Sequence, residues 1–185
     1  MSIVGIDPSL TATGIAILDR DFFDAATVTK LTAVGRKGRE TDRHPERSDR
    51  IVAQTRRIVA HVPPDAALVL IEDIPEGINR LPSYRDRCVL WGGVYSTLRG
   101  RGLPIVVINP TTRAVWATGK GTKKPDVLAA VRLMWPAVHI ADDNEGDALI
   151  LASIGAHHLG WTMPFETKPR HTTGLDKVEW PEGVA

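Results

Sequence analysis

A chain of 185 residues with 43% hydrophobic content holds enough apolar material for one substantial core and is too short for two comfortable domains. Its 23 Lys+Arg nearly cancel its 22 Asp+Glu, which excludes a partner recruited by bulk charge, so any nucleic-acid surface must come from segregation of charge. The one cysteine, Cys88, excludes an internal disulfide, and the lack of an 18-residue apolar run or a basic-then-apolar leader points to a cytoplasmic protein with no membrane partner.

In chain order, Ile3, Val4 and Ile6 form an apolar run that predicts a strand buried on both faces, ending at Asp7. Pro8 and Ser9 break the run, and Gly14 opens a second strand over Ile15–Leu18. An acid at the end of a buried strand is costly to desolvate without a partner. Taken alone, Asp7 reads as capping its own turn. Ala25–Val34 predicts a third strand, completing an antiparallel meander, and Gly35–Pro45 reads as a basic, exposed loop. Glu46–His61 predicts a helix with Ile51, Thr55, Ile58 and Val59 on its apolar face and Arg50, Gln54, Arg57 and His61 away from it. That basic face fits a solvated surface or a DNA contact.

Leu68–Ile71 is a second unbroken apolar run and also ends at an acid, Glu72, with Pro75 and Gly77 closing it off. A buried strand after a helix implies a parallel crossover, so Asp7 and Glu72 are expected side by side at the carboxyl edge of the sheet, where ligands of open α/β sheets bind. Two adjacent carboxylates repel unless a proton or metal lies between them. Arg85–Arg99 predicts a helix with Cys88, Trp91, Val94 or Tyr95, and Leu98 along one stripe, weakened by Gly92 and Gly93. Pro104–Ile108 is a third buried strand. Trp116–Lys124 then reads as a glycine-flanked basic loop leading into a helix over Pro125–Trp135. Lys123 and Lys124 fall at that helix start, where the macrodipole disfavours cations by about 0.3–1 kcal/mol each. A phosphate there would be held by dipole, backbone N–H groups and ammonium groups together, with Gly119 and Gly121 allowing close approach.

Ala141–Gly160 predicts the last helix. Asp142 with Glu145 fits a capping box and Asp143 suits the first turn. Asp147 instead shares a face with Ile150, Leu151 and Ile154, and an acid there needs a cation; Asn144 and Asp143 lie three and four residues before it. His157 and His158 are adjacent and do not converge on one metal. Met163–Ala185 reads as an extended or partly disordered tail folding back through Trp180, which divides the chain into a domain over 1–160 and a tail over 161–185.

GIDPSLTATGIAIL, LVLIED and DDNEGDAL, in that order and spacing, resemble the three-part signature of RuvC-type Holliday junction resolvases of the RNase H-like superfamily. The resemblance implies an α/β fold with a mixed five-stranded sheet flanked by helices, a homodimer, and Mg²⁺-dependent nicking of four-way DNA junctions, with Mn²⁺ able to substitute. It carries metal-ligand roles onto Asp7, Glu72 and Asp147, which would hold two ions for phosphodiester hydrolysis. Lys120, Lys123 and Lys124 match the family's DNA-contacting loop, and Arg113, just before it, is expected at the DNA as well. Two positions depart from the pattern. Asn144 stands where the family usually has Asp or His, so the fourth ligand is either Asn144 by position or Asp143 by the preference of a hard dication for carboxylate. Pro75 stands where bacterial members tend to place a base-stacking phenylalanine, so the sequence is closer to divergent phage-type members, and a bacterial or phage source is expected. The alternatives are a related nuclease for other branched DNA or RNA–DNA hybrid, and a non-catalytic junction-binding protein. An ATP-binding fold of the actin and sugar-kinase type, whose first strand also reads G-I-D, would need a second domain that 185 residues hardly supply.

Overall fold

The structure, a computed structural model, describes residues 1–75, 83–121 and 124–183; the side chain of Lys124 also falls outside the described residues. Strands β1 (Ser2–Asp7), β2 (Thr13–Arg20) and β3 (Ala26–Val34) form the meander. Then follow α1 (His44–His61), β4 (Leu68–Glu72), α2 (Tyr84–Gly100), β5 (Ile105–Ile108), α3 (Pro110–Thr118), α4 (Lys124–Met134) and α5 (Asp143–His158). The sheet order is β3-β2-β1-β4-β5, antiparallel within the meander and parallel for β1–β4 and β4–β5. This is the mixed five-stranded sheet that the resemblance implies. Among the described residues no helix is long and apolar enough to cross a membrane.

Strand alternation divides the core into two layers. Val4, Ile6, Ile15, Ile17, Val69 and Ile71 face α1 and α2, whereas Ile3, Ala16, Leu18, Leu68, Leu70 and Val106 face α5. The second layer is the deeper one. Every residue of α5 from Gly146 to Ala156 is buried, because α4 and the chain after α5 cover the side turned away from the sheet. The amphipathic stripe expected for this helix is therefore a full girdle. Two glycines let it sit so close: a Cβ on Gly5 would overlap the Ala148 carbonyl, and one on Gly14 the Asn144 carbonyl.

Four expectations are corrected. Gln54, placed on the polar side of α1, is buried because its amide nitrogen donates to the carbonyl of Val34 at 2.7 Å, to Thr13 Oγ1 at 3.1 Å and to the carbonyl of Ser9 at 3.3 Å. The buried positions of α2 are Leu90, Val94 and Leu98, so the expected stripe holds at Val94 and Leu98, whereas in its first half Leu90 is buried and Cys88 and Trp91 are only partly so. Trp116 belongs to a helix, α3, and is fully buried rather than part of a loop. The segment after α5 is irregular but packed. Trp161 and His171 are buried and Thr162 exchanges backbone hydrogen bonds with Asp24 and Ala26 at 2.9 Å, while the expected fold-back through Trp180 is present as its flat stack on His158 at 3.5 Å.

Candidate metal centre and its cavity

The site grows out of the strand register. Ile6 pairs with Ile71, so the next residues on β1 and β4, Asp7 and Glu72, come level at the carboxyl edge. Both continue the alternation that faces α5, which supplies Asp147 from its second turn. One carboxylate oxygen of each acid lies within 4.8 Å of the other two. Glu72 and Asp147 are buried, and Asp7 is half-buried. Burial first, then the Glu72 carboxylate beside it, pushes the Asp7 carboxyl well above its ordinary range; Arg113 offsets this only in part.

Arg113 is the cluster's own cation. Asn109 caps α3, its side chain accepting from the amide of Thr111 at 2.8 Å, and Pro110 occupies the first helical position. Because Ile108 pairs with Glu72, the helix starts beside the acids and turns Arg113 into them. Its Nε donates to Glu72 Oε1 at 2.7 Å and its Nη1 donates to Asp147 Oδ1. Burial alone would lower the pKa of this guanidinium, but the Glu72 and Asp147 carboxylates carry it above its ordinary value. Arg113, expected at the DNA, is 6% exposed and ion-paired with two carboxylates in the cavity lining rather than on the outer surface with Lys120.

A cavity of about 380 Å³ opens over the cluster. Asp7, Glu72, Arg113, Asn144 and Asp147 line it, as do Ser9, Arg87, Trp91 and Pro75. Asn144 thus faces the site, while Asp143, half-buried, is not among the described residues lining it. Trp91, which the sequence shows only as part of a packing stripe, has a role here. Its indole N–H donates to the Glu72 carbonyl at 2.8 Å, fixing the end of β4, and its ring stacks on Tyr95 at 5.1 Å. Lys120 is exposed between α3 and α4, away from the cavity lining. Lys123 and the side chain of Lys124 lie outside the described residues, as does Gly77.

Three carboxylates against one guanidinium leave a surplus of negative charge on hard oxygen donors, a set that suits a hard divalent cation such as Mg²⁺ or Mn²⁺. Asp7, Glu72 and Asp147 could hold such an ion, with Asn144 offering a neutral amide oxygen at the cavity wall.

No protein-family model matches the chain, and no curated protein matches it in sequence. Solved structures do. RuvC of Thermus thermophilus is 20% identical with a TM-score of 0.64, over 85% of this chain and 93% of that one. The yeast mitochondrial Holliday junction resolvase Ydc2 is 11% identical with a TM-score of 0.55, over 82% of this chain and 77% of that one. The fowlpox virus resolvase, solved in complex with substrate Holliday junction DNA, is 13% identical with a TM-score of 0.53, over 85% of this chain and 97% of that one. The fold is the one these resolvases share.

Proposed function

We propose that this chain is a metal-dependent endodeoxyribonuclease that nicks four-way DNA junctions, working as a homodimer. The observation that carries the reading is the acid cluster Asp7, Glu72 and Asp147, convergent at the carboxyl edge of the sheet beneath an open cavity. In a fold shared with junction resolvases, that edge is where a backbone phosphodiester would be received. Asp7, Glu72, Asp147 and Asn144 would hold two Mg²⁺ ions, which when bound supply an activated water and stabilise charge on the leaving oxygen. The chain's own part is positional. The carboxylates are set by strand register and by α5, Trp91 pins the end of β4, and Arg113 keeps a fixed positive charge among the acids. Asn144 is preferred to Asp143 as the fourth ligand because it is the one that reaches the cavity wall. Lys120, Lys123 and Lys124 would contact DNA beyond the cavity. Cytoplasmic DNA is the expected setting, and the free Cys88 suits it.

A two-fold dimer matches the near two-fold symmetry of a junction, which needs paired nicks on opposed strands. A groove of about 460 Å³ between α1 and α2 offers the surface, with Val52 and Val89 exposed at its rim. The deciding experiment is one gel of labelled junction, duplex and RNA–DNA hybrid, with and without Mg²⁺. Paired nicks confined to the junction and lost in EDTA support the reading. Preferential cutting of hybrid moves the chain to a hybrid nuclease, and binding without cutting makes it a junction-binding protein.

A further inference from the structure

The acid cluster poses a problem for any nucleic acid reaching it, because its surplus negative charge repels the phosphates on either side of the one received. The structure holds a basic counterpart next door. β3 runs parallel to β1 and ends at the same edge, so the loop that follows it, residues 35–43, lies beside the acids rather than behind the sheet. Residues 35–57 carry eight Lys+Arg against four Asp+Glu, in a chain whose net charge is only +1. This loop and α1 enclose a second cavity of about 350 Å³. The two cavities are neighbours, joined through one hydrogen bond: Ser9 lines the first, Gln54 lines the second, and the Gln54 amide donates to the Ser9 carbonyl at 3.3 Å.

The second cavity is built around one guanidinium. Arg50 stands half-buried in its wall, and its Nε is fully buried with no hydrogen-bond acceptor among the described residues. The loop closes directly onto this side chain: Gly38 lies so near that a Cβ there would overlap the Arg50 guanidinium. Arg36, Lys37, Arg39 and Arg57 stand around the opening. Asp42 and Asp49 are the two acids in the lining, and Asp42 is engaged by the Arg39 amide at 2.9 Å. On α2, Asp86 is held by Arg47 at 2.8 Å and lies 3.8 Å from Arg50. Guanidinium groups present donors in a fork that matches phosphate oxygens.

We propose that this cavity seats backbone phosphates of the bound nucleic acid, next to the phosphodiester received at the acid cluster. The inference rests on the proposed function for the nature of the ligand and adds the subsite that holds the strand against a negatively charged site. Such interactions read charge rather than sequence, and they release counterions when they form.

The test is the salt dependence of affinity, measured in EDTA for a four-way junction and for a plain duplex of equal length. Arg36→Gln/Arg39→Gln changes two exposed side chains and is expected to make the slope of log K against log salt shallower by about 0.9 for each phosphate no longer neutralised. Arg36→Lys/Arg39→Lys keeps the charges and should keep the slope. Arg20→Gln, at the opposite end of the sheet in an ion pair with Asp24, should leave it unchanged. Arg50→Gln should act in the same direction as the double glutamine variant, with its melting temperature checked because it also faces Asp86. An unchanged slope in Arg36→Gln/Arg39→Gln, an equal change in Arg20→Gln, or a wild type that binds neither DNA overturns the proposal. Failure to nick junctions in Mg²⁺ overturns the proposed activity instead, and the slopes on duplex still judge the cavity.

Discussion

Asp7, Glu72 and Asp147 are held at a separation that like charges resist, and the resistance is measurable. Asp7→Asn, Glu72→Gln and Asp147→Asn are each expected to lower nicking in Mg²⁺ by more than about a hundredfold, the size of loss common for a residue acting directly in the chemistry, with junction binding largely kept. Near wild-type nicking by any one removes it from the ligand set. Asn144→Ala should lower activity across a Mg²⁺ titration and Asp143→Asn should be mild, because of the two only Asn144 lines the cavity; the reverse order assigns the role to Asp143. Stability in EDTA supplies an independent check. The folded pKa of Asp7 is raised above its unfolded value of about 3.9. Its contribution is thus fully present below about pH 3.9 and is lost as pH rises through the raised folded value. Asp7→Asn removes that loss. Urea unfolding of the variant should therefore show it more stable than wild type at neutral pH, the gap widening as pH rises; a gap independent of pH contradicts the assignment.

The elements differ in how plainly the sequence shows them. β1, β4 and β5 are legible because strands buried on both faces leave unbroken apolar runs, and two of those runs end at the site's acids. Helix α3 is harder to see, although its start is written in Asn109-Pro110, a capping side chain followed by the residue best suited to the first helical position. Assigning Trp116 to the next loop hides the helix, and with it the path that carries Arg113 inward. The chain after α5 misleads for a different reason. Prolines and polar residues describe its irregular backbone correctly, but the packing comes from a few large side chains: Phe165 and His171 close over Trp116, with His171 4.5 Å from the indole. His171 accepts from the amide of Lys168 at 3.1 Å, and burial, with Arg170 nearby, pushes its pKa down to about 4. A depressed histidine stabilises the fold above the unfolded pKa of about 6.5, and that support is lost as pH falls toward 4. Thermal melts should show wild type falling steeply between about pH 6.5 and 4 while His171→Gln falls less; parallel curves would contradict this.

At the scale of the whole molecule, the apolar groove between α1 and α2 is expected to hold a second copy. Val89→Glu should convert a dimer to a monomer in light scattering at micromolar concentration while leaving the monomer folded. A wild type that stays monomeric with junction added contradicts the assembly. The sheet order can be inferred from two strand–helix–strand crossovers and one meander, since a crossover helix implies parallel strands and a tight turn antiparallel ones. The distance between sheet and α5 cannot, because it depends on Gly5 and Gly14 meeting the helix backbone across the core. That distance has a consequence for which ion the site prefers. Asp7 and Glu72 belong to the sheet and Asp147 to the helix, so the two glycines set the span that a bound ion would bridge. Mg²⁺ takes oxygens at about 2.0–2.1 Å and tolerates little departure, whereas Ca²⁺ accepts about 2.3–2.6 Å and looser geometry. Gly14→Ala, which adds one uncharged methyl against the helix backbone, should lift the helix and shift calorimetric affinity from the smaller ion toward the larger; an unaltered ratio would mean that the carboxylates, rather than the glycines, determine ionic radius.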